Sequence, residues 1–479
     1  MCAVRNPQPT KMLLLLLACG LGGCAGSASA QSLPRSLAVA TSQPSQEQPP
    51  PASGVLKHAK TWETAYDSPQ QYDATFGFTS WSYVAPYIDL VMAPASVVDT
   101  NVHAGGVQTM TYADPNFCSG SYADGPNKFA SPDCAAFPAD AFYADGHGNV
   151  LTVSYNGTIQ QRVGNPASPS LQTLTSAFVK AVTQQYPFAA ALVDDATVPT
   201  SAYPGAMCWG LGTLGHGPYS CGGAPGGPAL SPFDATHTLA DWQNGEQAIG
   251  ASLSVPAIFN GLQGGNLTGT GEPAPIVAVV LRTPGAWGAM CDGCFYTASN
   301  AFTVTGPVLD SRLAGVMQLV AAGKNVIVLN DNVTDPAARE RGLAITMLAY
   351  DAGHVWEGGG PCGNVSHIHA CPEAALTFYN AYGAYPAKPS SLAAGTGVYA
   401  REFASCYRNG IAAGPCAAVV NVDPYGAHAL PSLRNTYAHT VQIAGTSLCN
   451  CFGDSGSVGL TGPAAPKALP PASGYVLFP

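Results

Sequence analysis

Short apolar runs recur along this chain, each closing on polar or small residues, which is how a strand hands over to a loop. Eight can be read: 75–81 (TFGFTSW), 87–94 (YIDLVMAP), 106–112 (GVQTMTY), 190–195 (AALVDD), 255–262 (VPAIFNGL), 287–293 (WGAMCDG), 324–330 (KNVIVLN) and 353–359 (GHVWEGG). Helical periodicity fills several of the gaps, notably 171–187, 309–323 and 335–353. Strands alternating with helices pair in parallel through right-handed crossovers, and eight such units can close into a (β/α)8 TIM barrel. An open doubly wound sheet is the alternative, but no glycine-rich phosphate fingerprint follows the first strand. After about residue 393 the rhythm changes to short strand-like runs between turns (GVYAREFA, CAAVVNV, YAHTVQIAG, SGYVLFP), which predicts a small C-terminal antiparallel β-sandwich.

The N-terminus changes the picture of where this fold is used. Lys11 precedes an apolar run, Met12 to Leu17, with the layout of an export signal and too short to span a bilayer. Leu21-Gly22-Gly23-Cys24 resembles a bacterial lipobox, in which Cys24 is lipidated and anchors the protein to a membrane; cleavage near residues 28–30 (ASA) without a lipid is the alternative. Either way the mature chain is exported, to the cell envelope as a lipoprotein or to the periplasm or medium. Residues 25–55, rich in Ser, Gln, Pro and Ala, read as a tether. The expected organisation is therefore signal segment 1–24, linker 25–55, barrel 56–392 and sandwich 393–479.

Charged residues make up only 10% of the 479, with a net charge of −10 and 18 Lys plus Arg in no basic cluster, which argues against nucleic acid as a partner. A loop-rich chain with 54 Gly, 41 Pro and 21 Tyr presents a neutral polar surface suited to neutral polar ligands, sugars among them. Setting aside Cys2, Cys19 and Cys24 leaves twelve of the 15 cysteines, in a compartment where disulfides persist. They fall in neighbouring couples: Cys118 with Cys134, Cys208 with Cys221, Cys291 with Cys294, Cys362 with Cys371, Cys406 with Cys416, Cys449 with Cys451. Connectivity is not fixed by sequence, and local pairing is the simplest expectation.

In a (β/α)8 barrel the chemistry sits at the C-terminal strand ends. Strand four ends in Asp194-Asp195, strand six in Asp292 and strand eight carries Glu357. Glycoside hydrolysis needs two carboxyl groups facing each other across the scissile bond, one a nucleophile or base and one a proton donor. Asp pairs also cap helices, and Asp-Gly also makes turns. Aromatic and polar residues near the strand ends, Trp81, Asp114, Asn260, Asn330, Asp331 and Trp356 with Glu357, are the expected sugar contacts, rings stacking on C–H faces and side-chain oxygens gripping hydroxyls. The glycine-rich stretch 210–227 is expected as a rim or lid after strand four.

The layout of AALVDDA at strand four, GAMCDGCF at strand six and the tail REFASCYRNG…AAVVNVDP…LPPASGYVLFP resembles glycoside hydrolase families related to the α-galactosidase-like and polygalactosaminidase-like barrels. The resemblance implies an exported hydrolase of O-glycosidic bonds in a polysaccharide or oligosaccharide. By position it implies a strand-four catalytic acid at Asp194, or at Asp195 if the register slips by one, and a strand-six acid at Asp292. Relatives often carry Glu before Gly-Cys where this chain has Asp292. No cofactor or metal is expected.

Cys291-Asp292-Gly293-Cys294 has two other readings, a thioredoxin-like redox pair and half of a zinc site completed by His367, His369 and Cys371. A disulfide stiffening the turn that carries Asp292 fits an exported barrel best. Two further functions stay open on residues alone: a barrel that binds polysaccharide without cleaving it, with Asp194 and Asp292 far apart or one of them buried in a cap, and a redox or metal-binding lipoprotein. Thiol titration of the denatured, unreduced protein is expected to find Cys291 and Cys294 blocked, and alkylatable thiols there would restore the redox or metal reading.

Overall fold

The computed structural model describes residues 58–60, 90–92, 108–118, 137–144, 150, 152–155, 159–185, 187–197, 220–221, 238–264, 273–291, 294–295, 306–330, 336–351, 353–359, 376–381, 397–408, 411–443, 458–459 and 462–479. Eight parallel strands close into a barrel: β1 (His58–Lys60), β2 (Leu90–Met92), β3 (Gln108–Ala113), β4 (Ala190–Val193), β5 (Ala257–Asn260), β6 (Gly288–Cys291), β7 (Asn325–Asn330) and β8 (Val355–Gly359). Neighbours in space follow the chain order, and β1 pairs with both β2 and β8. Five helices among the described residues follow strands β3 to β7: α1 (Pro169–Gln185), α2 (Leu239–Ser252), α3 (Ile276–Arg282), α4 (Gly306–Ala321) and α5 (Pro336–Ala349).

Seven of the expected strands coincide with barrel strands β2 to β8 or overlap them. The first does not: the barrel is closed by His58–Lys60, while 75–81 and Trp81 lie outside the described residues. Three residues reading His-Ala-Lys carry no apolar run, and their place is fixed by backbone pairing, His58 against Glu357 and Ala59 against Leu90.

Alternation along each strand sorts the side chains into two cores. Leu90, Met110, Tyr112, Ala190, Leu192, Ile258, Met290, Ile327 and Trp356 fill the interior. Their neighbours Val193, Phe259, Ala289, Cys291, Val326, Val328 and Val355 face outward into the helical layer. The helices answer with apolar stripes, such as Leu309, Leu313, Val316 and Val320 on α4. The capping box at Thr238, with Asp241 as its return partner, starts α2. A four-stranded antiparallel sheet of Phe117–Cys118, Ile159–Val163, Thr152–Tyr155 and Ser220–Cys221 grows out of the loops after β3 and β4.

Beyond the barrel stands a five-stranded sheet in the spatial order β9 (Leu376–Ala381), β10 (Val398–Arg408), β11 (Ile411–Asn421), β13 (Gly474–Phe478), β12 (His439–Thr440), antiparallel at every pairing. It draws in a strand that precedes residue 393. Residues Pro44–Pro479 form one compact unit, and the sheet is tied to the barrel helices by specific bonds. Arg401 on β10 reaches the last carbonyls of α5, donating to Met347 (3.1 Å), Leu348 (3.2 Å) and Tyr350 (2.7 Å). These are the carbonyls a helix cannot satisfy itself, at the negative end of its dipole. The amide of Val476 donates to Glu340 of α5 at 3.1 Å, and Tyr399 donates to Asp310 of α4 at 2.5 Å. Cys406 and Cys416 join β10 to β11 by a disulfide, and Cys291 is bonded to Cys294. Cys118 is also disulfide-bonded. Cys24, Cys134, Cys208, Cys362, Cys371, Cys449 and Cys451 lie outside the described residues, and Cys221 is described only as part of its strand.

Two buried glutamates make this fold sensitive to alkali. Burial lifts Glu246 on α2 from the usual 4.5 to about 8, and Glu340 on α5 likewise to about 8. A carboxyl that titrates higher folded than unfolded gives its full contribution below about pH 4.5, and that contribution is lost as pH rises through about 8. Denaturant unfolding is expected to show stability falling from pH 5 to pH 9. Glu246→Gln and Glu340→Gln should each flatten that fall by on the order of a few kcal/mol. An unchanged slope in both variants would show that neither carboxyl titrates above its unfolded value in the folded state.

Candidate active site

The alternation that fills the interior continues past the last apolar layer. Two residues beyond Tyr112 is Asp114, two beyond Leu192 is Asp194, and two beyond Ile258 is Asn260. Ala113 pairs with Val193 and Val193 with Phe259, so these three polar residues follow one another around the C-terminal rim. All three are buried.

Asp194 is the centre of the group. Its Oδ2 accepts the Tyr112 hydroxyl at 2.8 Å, and its Oδ1 accepts the Asn260 amide at 2.6 Å and the Asp195 backbone N–H at 2.9 Å. Both oxygens accept from three donors, which is the hydrogen-bonding capacity of the ionised, acceptor-only carboxylate. The supports are themselves held. Gln263 donates to Asn260 Oδ1 at 2.9 Å, and Asn116 donates to the Asp194 carbonyl at 2.9 Å. Asp195, partly exposed, has φ of 48°, the left-handed region that Asp tolerates better than most residues, and this turns the chain sharply after the strand. Gly261 makes room for that turn, since a Cβ there would stand 2.1 Å from the Ala196 carbonyl oxygen.

Asp114 sits in the same buried rim. Burial first, and the neighbouring charge of Asp194 second, push its carboxyl well above the usual range, while the amides of Phe117 (2.8 Å) and Asn116 (3.2 Å) on its Oδ1 partly offset this. Burial also raises the Tyr112 hydroxyl, reinforced by the charges of Asp194, Asp114 and Asp195, so it remains a donor. Glu246, wholly buried, is near enough for its charge to raise Asp114, and a side-chain hydrogen bond with Asn116 partly offsets its own elevation by burial.

The other expected site residues fall differently. Asp292 and Asp331 lie outside the described residues; Asn330 and Glu357 are described only as parts of β7 and β8. Cys291 and Cys294, which bracket Asp292 in sequence, are both buried and bonded to each other. Trp356, expected as a sugar contact, is instead packed in the barrel interior at the end where strands begin. Its ring lies 5.2 Å from that of Trp287 and its N–H donates to Asn325. As the second residue of β8, it stands well below the rim its sequence position suggested. Tyr112, Asn116 and Gln263 were not anticipated. The one signal available was Tyr112's place in the alternation before Asp114.

No family model and no curated protein matches the chain. Among solved structures it is similar to the glycoside hydrolase domain of PelA from Pseudomonas aeruginosa, at 14% identity over 64% of this chain and 96% of that one, with a TM-score of 0.36. An alpha-amylase from Malbranchea cinnamomea is similar at 9% identity over 88% of this chain and 96% of that one, with a TM-score of 0.38. TtGalA, an alpha-galactosidase from Thermus thermophilus, is similar at 12% identity, 64% and 58% coverage and a TM-score of 0.35. The fold assignment rests on this chain's own strand pairing.

The coupling between the two described carboxyls has a measurable consequence. In Asp194→Asn, the Asp114 carboxyl loses the second cause of its elevation and keeps the first. Carboxyl-carbon NMR is expected to show Asp114 titrating at lower pH than in wild type yet still above an exposed aspartate. An unchanged midpoint would mean the two groups do not share a field.

Proposed function

We propose that this chain is an exported glycoside hydrolase that cleaves O-glycosidic bonds of a polysaccharide or oligosaccharide, with Asp194 as nucleophile or base and Asp292 as general acid. The observation that carries this reading is the Asp194 carboxylate on the C-terminal rim of a closed parallel barrel, oriented by Tyr112, Asn260 and the Asp195 amide. A carboxylate fixed by three donors is preorganised to meet the positive charge that develops on the sugar in the transition state.

The second acid is assigned from the sequence, where Asp292 directly follows β6 between the disulfide-bonded Cys291 and Cys294. Asp114, held protonated by burial and by Asp194, serves as a donor to substrate hydroxyls. Export follows from the apolar N-terminal segment and attachment through Cys24 from the lipobox-like sequence. Carbohydrate is the partner, and the carboxyl pair needs neither cofactor nor metal for this reaction.

The near-complete burial of Asp194 favours a second reading, a barrel that binds polysaccharide without cleaving it. Turnover decides between them. Asp194→Asn is expected to abolish hydrolysis of natural and activated aryl glycosides alike, by about 10³-fold or more. Asp292→Asn should cost most with poor leaving groups and little at the glycosylation step with activated ones, because a good leaving group needs no proton. Equal slowing of both substrates by Asp292→Asn would remove its assignment as the acid. Binding of polysaccharide by the wild type with no hydrolysis would establish the second reading.

A further inference from the structure

Arg312 lies on α4, outside the barrel, yet is almost wholly buried and points toward the catalytic rim. Its Nη1 donates to the carbonyl of Cys294 at 2.5 Å, and its Nη2 donates to the carbonyl of Gln263 at 3.1 Å. The first contact holds Cys294, which is disulfide-bonded to Cys291 at the end of β6. The second holds the turn after β5, and from there an unbroken chain runs to Asp194. Gln263 Nε2 donates to Asn260 Oδ1 at 2.9 Å, and Asn260 Nδ2 donates to Asp194 Oδ1 at 2.6 Å.

We propose that Arg312 is a positioning residue that holds Cys294 and the turn after β5 at a set spacing and, through Gln263 and Asn260, orients the Asp194 carboxylate. The role rests on the hydrolase reading above, and it goes beyond it by assigning the orientation of Asp194 to one side chain outside the barrel. A planar guanidinium suits this task because its donors leave in fixed directions, so two carbonyls bound by one fork are held at a set spacing. Lysine offers a single mobile ammonium and cannot fix both. A misplacement of about 1 Å costs on the order of 10² in rate.

Arg341 on α5 supplies the comparison. It is equally buried and donates to the carbonyl of Phe295 at 3.3 Å, one residue beyond Cys294. An arginine that merely fills space and satisfies a carbonyl should behave like Arg341.

The test compares Arg312→Met, Arg312→Lys and Arg341→Met in the full mature chain, with two readouts. Native-state hydrogen exchange at the Asp195 amide, which donates to Asp194 Oδ1, reports transmission to the carboxylate without requiring any activity. Arg312→Met is expected to speed exchange at Asp195 by about tenfold or more, and Arg341→Met to leave it within about twofold of wild type. Steady-state kinetics on the folded fraction should show kcat reduced by about 10- to 100-fold in Arg312→Met with KM within about threefold, and a much smaller loss in Arg341→Met. If Arg312→Met does not fold, Arg312→Lys, which retains the charge and one donor, is expected to show the same two changes at reduced size. Wild-type exchange at Asp195 in a folded Arg312 variant, or equal kcat losses at positions 312 and 341, overturns the proposal. Absence of hydrolysis by the wild type instead sinks the hydrolase reading, and the exchange result then decides alone whether Arg312 governs the rim.

Discussion

Parallel strands in a closed barrel all end on the same rim, and side chains two apart point the same way; together these constraints place every functional feature of this protein. The layer that fills the interior with Leu90, Met110, Leu192, Ile258 and Ile327 is apolar because it is sealed from water. One step higher, the same inward phase carries Asp114, Asp194 and Asn260. The chain therefore needs no special device to gather polar groups at one place. It needs only to change residue type at the end of each run. The short strand His58–Lys60 secures this by pairing on both sides, which removes the open edges.

Among the described residues, buried guanidiniums donate to backbone oxygens. Arg312, Arg341 and Arg401 are all buried, and the bonds described for each end on main-chain carbonyls of turns or of a helix terminus. Such carbonyls are left over wherever an element stops, and a guanidinium can serve more than one of them. The carboxyls are managed differently. Glu246 and Glu340 are kept neutral by burial across most of the physiological range, while Asp194 has donors enough to be charged.

What the sequence made legible was periodic. Runs such as 190–195 and 324–330 announced their strands, and Asp194 could be found because an apolar run ended on it. Residues whose role depends on register were not legible in the same way. Asn116 and Gln263 sit in turns where nothing local says which strand end they will meet. Arg312 and Arg341 look like solvated charges on helix faces until the turns they hold are in place. Trp356 misled because an aromatic residue in a strand belongs equally to a binding wall or to the barrel floor, and only the pairing of Ile327 with Trp356 fixes its level. His58–Lys60 was hidden because its place comes entirely from backbone pairing.

The contact of Arg401 with the end of α5 bears on how this architecture can be rearranged. A sheet joined to a barrel by a linker can be exchanged between proteins as a cassette, because nothing inside the barrel depends on it. Here the sheet supplies the cap for a barrel helix and the donor for Glu340, while its strand at Gly474 runs against Arg341, where a Cβ would meet that residue's backbone at 3.1 Å. Arg341 in turn holds the residue after Cys294. Recombination that swapped the C-terminal sheet for a foreign module would therefore reach the rim through α5, so the two parts are expected to have diversified together as one heritable block.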